Sequence, residues 1–156
     1  MKLEHDKVTM RRAQEADASA VRDLTRAAYA KWVPLIGREP MPMVADYDAA
    51  VRNHLVDLFE LEGKLAGMIE MILESDHLLI ENIAVSPEFQ GQGLGGKLMA
   101  YAEQVAAVSG FAIIKLYTNP QFIGNVPFYL AHGYCVDREE PFKGGTTVYM
   151  SKKLVE

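Results

Sequence analysis

Apolar residues recur at Leu94, Leu98, Tyr101, Val105 and Val108, in steps of four, three, four and three. That spacing keeps them on one face and predicts an amphipathic α-helix. Gly110 ends it, because glycine accepts the left-handed conformation that closes helices. Val21, Leu24, Ala28 and Trp32 define an earlier helix that opens at Asp17 or Ala18 and stops at Pro34 and Gly37. A second short helix starts from Asp46-Tyr47-Asp48 and runs to His54. Between them, Arg38-Glu39-Pro40-Met41-Pro42-Met43 reads as an irregular loop.

A period of two replaces the helical one over residues 55–61 and 65–73, joined by the turn Glu62-Gly63-Lys64. Glu70 and Glu74 share a face of the second strand with Ala66, Met68 and Ile72. Residues 78–85 form a third strand. Strict alternation puts Leu79, Glu81, Ile83 and Val85 on one face, and Ile80, Asn82 and Ala84 on the other. Residues 111–117 are almost continuously apolar, as in a central buried strand, with Lys115 the exception. Asn125 reads as the N-cap of a helix through Val126-Pro127-Phe128-Tyr129 that Gly133 ends. Tyr134-Cys135-Val136 begins a strand, residues 137–142 a charged loop, Gly144-Gly145 a turn and residues 146–150 the last strand. With a first strand over residues 8–12, the order is β-α-α-β-β-β-α-β-α-β-β. It predicts one α/β domain over residues 1–156 with a mixed sheet.

The third strand runs through Ser86-Pro87 into Gln90-Gly91-Gln92-Gly93-Leu94-Gly95-Gly96 and then the helix from Leu94. Glycine lets a backbone approach a ligand closely, and a helix start offers free N–H groups and a positive dipole end. Together they make a cradle for phosphate. Gly91, Gly96 and Lys97 have P-loop spacing, but Leu98 replaces the magnesium-binding hydroxyl, so no nucleotide–magnesium site is expected. Gly91, Gly93 and Gly96 match a dinucleotide fingerprint, yet they lie mid-chain, outside a first βαβ unit.

A third pattern, Gln/Arg-x-x-Gly-x-Gly/Ala, is filled by Gln90, Gly93 and Gly95. On this loop, on Asn125-Val126-Pro127-Phe128-Tyr129 ending in Gly133-Tyr134, and on Leu116-Tyr117-Thr118 before it, the chain resembles the GNAT family, the Gcn5-related N-acetyltransferases. The element order matches too, so the resemblance covers nearly the whole chain. It implies a GNAT fold and a co-substrate, acetyl-CoA. Ile83, Ala84 and Val85 would pair with its pantetheine arm. Gln90, Gly91, Gln92, Gly93, Leu94, Gly95 and Gly96 would form the pyrophosphate loop, and Asn125 would contact the cofactor or fix the helix start. Tyr129 would be the general acid, near the coenzyme sulfur. The loop between the first two helices would wall the acceptor site with Trp32, Pro34, Met41 and Met43, and Trp32, Met43 and Asn82 would touch substrate.

For the general base Glu81 is the candidate, with Glu70 and Asn82 as rivals, since an attacking amine must be neutral. The implied activity is acetyl transfer to a primary amine of a small molecule, peptide or protein. The alternative is a coenzyme-binding module without catalysis.

Composition narrows the partners. A chain of 156 residues, 49% hydrophobic, can bury a real core. The formal charge of −5 argues against nucleic acid or anionic membrane and suits a cationic acceptor. One cysteine, Cys135, excludes a disulfide framework and reads as a core thiol. His5, His54, His77 and His132 show no metal-ligand spacing, so no metal site is expected. Met1-Lys2-Leu3-Glu4-His5-Asp6 has no apolar signal core, and no run approaches a membrane span. A cytoplasmic protein is therefore expected. Family members often form homodimers, but no edge strand declares itself.

Overall fold

The computed structural model describes residues 8–154. The segment read above for a signal core lies outside them, apart from which the description covers every element predicted. A seven-stranded sheet comprises β1 (Val8–Arg12), β2 (Leu55–Leu61), β3 (Lys64–Leu73), β4 (Leu78–Val85), β5 (Ile113–Thr118), β6 (Cys135–Phe142) and β7 (Gly145–Lys153). Its spatial order is β1-β2-β3-β4-β5-β7-β6. All neighbours are antiparallel except β4 and β5. The helices are α1 (Ala18–Tyr29), α2 (Val33–Ile36), α3 (Met41–Val44), α4 (Tyr47–Asn53), α5 (Leu94–Val108) and α6 (Asn125–Ala131).

Each face of the sheet carries one helix layer. Leu94, Leu98, Met99, Ala102 and Ala106 of α5 pack with Ile69, Met71, Leu78, Ile80, Ile114 and Met150. Val21, Leu24 and Ala28 of α1, with Ala50 of α4, cover Val56, Leu58, Met68 and Ala84 on the other side. The stripe of α5 drifts from the one read in sequence: Ala102 and Ala106 are fully buried, while Val108 is 88% exposed. Alanine lets the helix axis approach the sheet, and a 3.6-residue period rotates Val108 away. Tyr101 Oη donates to Asp57 on β2 at 2.5 Å, and Arg12 on β1 binds the same buried carboxylate.

Three local readings change. Residues 137–142 continue β6 as a strand, because Lys143 and Gly144 both take positive φ (47° and 79°) and close a tight hairpin onto β7. As an edge strand β6 is exposed at every residue, so its charges face water. Cys135 accordingly is exposed and not a core thiol. The N-cap of α6 is Gly124, at φ 96°, and Asn125 is its first helical residue. That frees the Asn125 side chain from capping.

Candidate active site

The site exists because β4 and β5 part company. Their parallel pairing runs only from Leu78↔Ile114 to Ile80↔Leu116. On the other side of β4, Met71 opposes Ile80 while Glu70 opposes Asn82, so Glu81 is the extra residue of a β-bulge. A bulge bends its strand and ends regular pairing. It also re-phases the faces. Ile80 and Ile83 both pack toward α5, and Ala84 packs toward α1, so the strict alternation expected over residues 79–85 fails at Glu81.

Two cavities open from the resulting gap, and Tyr29, Ile83, Asn125 and Tyr129 line both. The first, of 680 Å³, runs along β4 to the glycine loop. The Ile83 carbonyl accepts from Tyr29 Oη at 3.3 Å, and the Val85 carbonyl from Gln90 Nε2 at 3.0 Å. Both carbonyls therefore point away from β3. In antiparallel geometry a residue's N–H points the same way as its C=O, which leaves two strand N–H groups facing the gap. Alternation turns those of Ala84 back toward β3.

The loop itself is shaped by Gly91 and Gly93, at φ 78° and 86°, with open space where side chains would stand. Gly93 precedes the first turn of the fifteen-residue α5. Free N–H groups of Gly93, Leu94, Gly95 and Gly96 converge there, the chemistry of an anion cradle. A Cβ on Gly95 would stand 3.4 Å from the Phe128 ring, so the missing side chains also let α6 approach α5. Gln90 is held by Lys31 Nζ at 3.1 Å. Gln92 turns outward to the Glu88 carbonyl at 3.4 Å and does not line the cavity. The Leu94 side chain is core, so only its backbone faces the loop.

The second cavity, of 460 Å³, lies across the gap. Glu70, Glu81 and Asn82 are among its lining residues. Glu70 is 4% exposed, and its Oε2 lies 2.6 Å from His54 Nδ1. Burial raises the Glu70 pKa, and the His54 hydrogen bond and charge pull it partly back. Tyr117 Oη donates to Glu81 Oε1 at 2.6 Å. Asn82 donates to Tyr47 Oη at 3.0 Å and accepts from Tyr29 Oη at 3.1 Å, so its amide ties β4 to α1 and α4. Burial pushes the Tyr29 and Tyr47 phenols up, so both stay neutral donors.

Tyr129 stands at the junction. It is buried, and desolvation pushes its pKa up to about 12. Its hydroxyl meets no hydrogen-bonding partner among the described residues, unlike that of Tyr29. Tyr134, also buried, lines neither cavity, and its hydroxyl lacks a partner as well. Asn125 Nδ2 donates to Thr118 Oγ1 at 3.3 Å, joining α6 to the end of β5.

Of the wall residues expected from the sequence, Met41 lines this second cavity, and Trp32, Pro34 and Met43 do not. Trp32 stacks on Phe122 at 5.5 Å and lines the glycine-loop cavity instead. Met43 is 6% exposed and sits beneath the wall, while Pro40, Met41, Pro42 and Val44 form its surface. The cause is the short helix α3, in which Met43 is the residue turned inward. The opposite wall, Phe142, Thr147 and Tyr149, comes from the β6–β7 hairpin. Sequence reasoning missed it, and missed His54 as a partner of Glu70. The available signal was an aromatic residue on each side of the turn, Phe142 next to it and Tyr149 in the middle of β7. Among the described residues no cluster of three or more His, Cys, Asp or Glu could hold a metal ion, and no helix is long and apolar enough to cross a membrane.

The chain is 32% identical over 95 residues to an aminoalkylphosphonate N-acetyltransferase of Salmonella typhimurium, a match over 56% of this chain and 55% of that protein. The aligned stretch thus spans about half the length of that curated relative. The PaiA N-acetyltransferase of Thermoplasma acidophilum, solved in complex with coenzyme A, superposes with a TM-score of 0.75 at 17% identity, over 94% of this chain and 98% of that one. The ribosomal-protein-S18-alanine N-acetyltransferase of Escherichia coli gives 0.73 at 19% identity, over 96% and 95%. At such identities the two structures speak for the fold. The model of the Acetyltransferase (GNAT) family matches residues 19–134, from α1 through the glycine loop to Tyr134, and the chain belongs to that family.

Proposed function

We propose that the protein transfers an acetyl group from acetyl-CoA to a primary amine by direct attack. One observation carries this reading: an anion cradle and a carboxylate-lined cavity meet at Ile83, Asn125 and Tyr129, in a gap that a strand bulge opens. The residues present fit the co-substrate, because the gap leaves strand N–H groups free beside a glycine loop with room at Gly91 and Gly93. When bound, acetyl-CoA supplies the acetyl group activated as a thioester.

The protein's own groups then divide the work. Backbone N–H groups of Gly91, Gly93, Leu94, Gly95 and Gly96 hold the pyrophosphate, with Gln92 shaping the loop from outside. Ile83 and Val85 pair with the pantetheine arm, and the Ile83 N–H polarises the acetyl carbonyl. Tyr129 donates a hydrogen bond to the sulfur as the carbon–sulfur bond breaks. Full proton transfer from a phenol near 12 to a thiolate of ordinary pKa is uphill by about 5 kcal/mol. Tyr129 therefore works mainly as a donor that stabilises the developing negative charge.

On the acceptor side the sequence pointed to Glu81, and the structure strengthens the case of its rival. Glu70 has a raised proton affinity and a fixed orientation, since His54 occupies one oxygen and leaves the other for the amine. Glu70 takes the amine proton, and Glu81, braced by Tyr117, orients the ammonium beforehand. The unpartnered Tyr129 hydroxyl supports transfer over a binding module without catalysis.

Incubation with acetyl-CoA and a panel of primary amines tests the reading. Free thiol and N-acetylated amine should appear in equal amounts, with or without magnesium. No thiol release from any amine, with no acetyl-CoA binding by calorimetry, would sink it. Gly93→Val tests the cradle. A β-branched residue at φ 86° costs about 1–3 kcal/mol in local strain. The loop shifts to relieve it, and acetyl-CoA affinity measured by calorimetry should fall about tenfold or more.

A further inference from the structure

The acceptor cavity is charged unevenly. Buried Glu70 and half-buried Glu81 line it. Half-buried Arg38 lines it as well, its guanidinium carbon 5.5 Å from the ring centre of the exposed Phe142. The neighbouring carboxylate does not neutralise it: Glu39 Oε2 binds Arg26 Nη2 at 2.7 Å, and Arg38 reaches only the Glu39 carbonyl, at 3.3 Å. A second cation stands over the same ring. Lys143 Nζ is 5.5 Å from its centre and 3.8 Å from Met41 Sδ. Neither Arg38 nor Lys143 forms an ion pair among the described residues. Arg138, which covers Tyr149 at 3.9 Å, differs in having Glu140 Oε1 at 3.4 Å.

We infer that the acceptor is a zwitterion, a primary amine joined through a short apolar spacer to an oxyanion, with Arg38 as the specificity-determining residue. This inference rests on the proposed acetyl transfer only for the fate of the amine. The ammonium enters toward Glu70 and Glu81. The oxyanion stays at the rim, where a guanidinium binds two of its oxygens at once. Pro40, Met41 and Phe142 contact the spacer between them. Partial burial matters here, because exposed charges gain little from pairing while charges lining a cavity are screened less. The same arrangement disfavours polyamines: a second ammonium would meet Arg38 and Lys143.

The test is calorimetric titration of the protein with coenzyme A present. The probes are aminoethylphosphonate and β-alanine, which separate phosphonate from carboxylate, together with propylamine, ethylphosphonate and spermidine. At least one zwitterion should bind about tenfold or more tighter than propylamine and ethylphosphonate, and spermidine should not exceed propylamine. Arg38→Ala should erase that preference, and Arg38→Lys should restore part of it. Acetyl-CoA affinity reports whether each variant is folded, since Arg38 does not line the glycine-loop cavity. Equal binding of zwitterion and propylamine, preference for spermidine, or an unchanged preference in folded Arg38→Ala overturns the inference. Zwitterion preference without thiol release from any amine supports the inference and overturns acetyl transfer instead.

Discussion

Tyr129→Phe should lower kcat about 100-fold while acetyl-CoA affinity changes little. The size follows from the role. Proton donation by a positioned side chain contributes on the order of 10²–10⁴-fold. A phenol held near 12 sits at the low end, because it lends a hydrogen bond more readily than a proton. The change removes one oxygen from a site where no described residue depends on it, so the packing of Phe128, Tyr129 and Tyr134 persists. Steady-state kinetics with thiol detection, beside calorimetry with acetyl-CoA, separate the two effects. Full activity in Tyr129→Phe would remove the residue from the chemistry and return it to the core.

Glu70→Gln should cost about 100-fold or more in kcat/KM and abolish the acid limb of the pH profile. Burial raises the Glu70 pKa above the ordinary carboxylate range. The ionised form accepts the amine proton, so activity is lost as pH falls through that raised value. For stability the sign runs the other way. A raised folded-state pKa means the folded protein binds the proton more tightly, a gain present below the unfolded pKa and lost as pH rises through the folded one. Glu81 adds to the rise in Glu70, and His54 opposes it. Removing His54 should therefore move the acid limb of kcat/KM to higher pH. A merely structural His54 would lower stability without moving the limb. If Glu70→Gln keeps the acid limb and Glu81→Gln loses it, Glu81 is the base and Glu70 only shapes the cavity.

Which parts of this site were legible beforehand follows from how far apart the contributing residues lie. The loop from Gln90 to the start of α5 is a local object. Its function needs only glycines after a strand and a helix behind them, and Gly91 and Gly93 do take the positive φ that the pattern implies. Tyr129 is local in the same sense, set by its place on the helix after β5. Asn82 lines the 460 Å³ cavity proposed for the acceptor. Trp32 and Met43 do not line it, because Trp32 stacks on Phe122 beside the glycine loop and the apparent loop folds into α3, which buries Met43. The face of Glu81 was misassigned because a bulge is invisible to a period of two.

By itself, then, the sequence determined the succession of strands, the helices α1, α4, α5 and α6 and the glycine loop between β4 and α5, and it offered Tyr129 as the candidate donor; α2 and α3 it did not show. What it did show rests on periodicity, glycine conformation and contacts close along the chain. Only the tertiary structure decided that His54 meets Glu70 across 16 positions, that Tyr117 braces Glu81 across 36, and that Phe142 and Lys143 face Arg38 and Met41 over the acceptor cavity. Those pairings depend on where β4 leaves β5 and on which way an edge hairpin folds back. Both are outcomes of packing the whole sheet, and no local stretch of the chain encodes them.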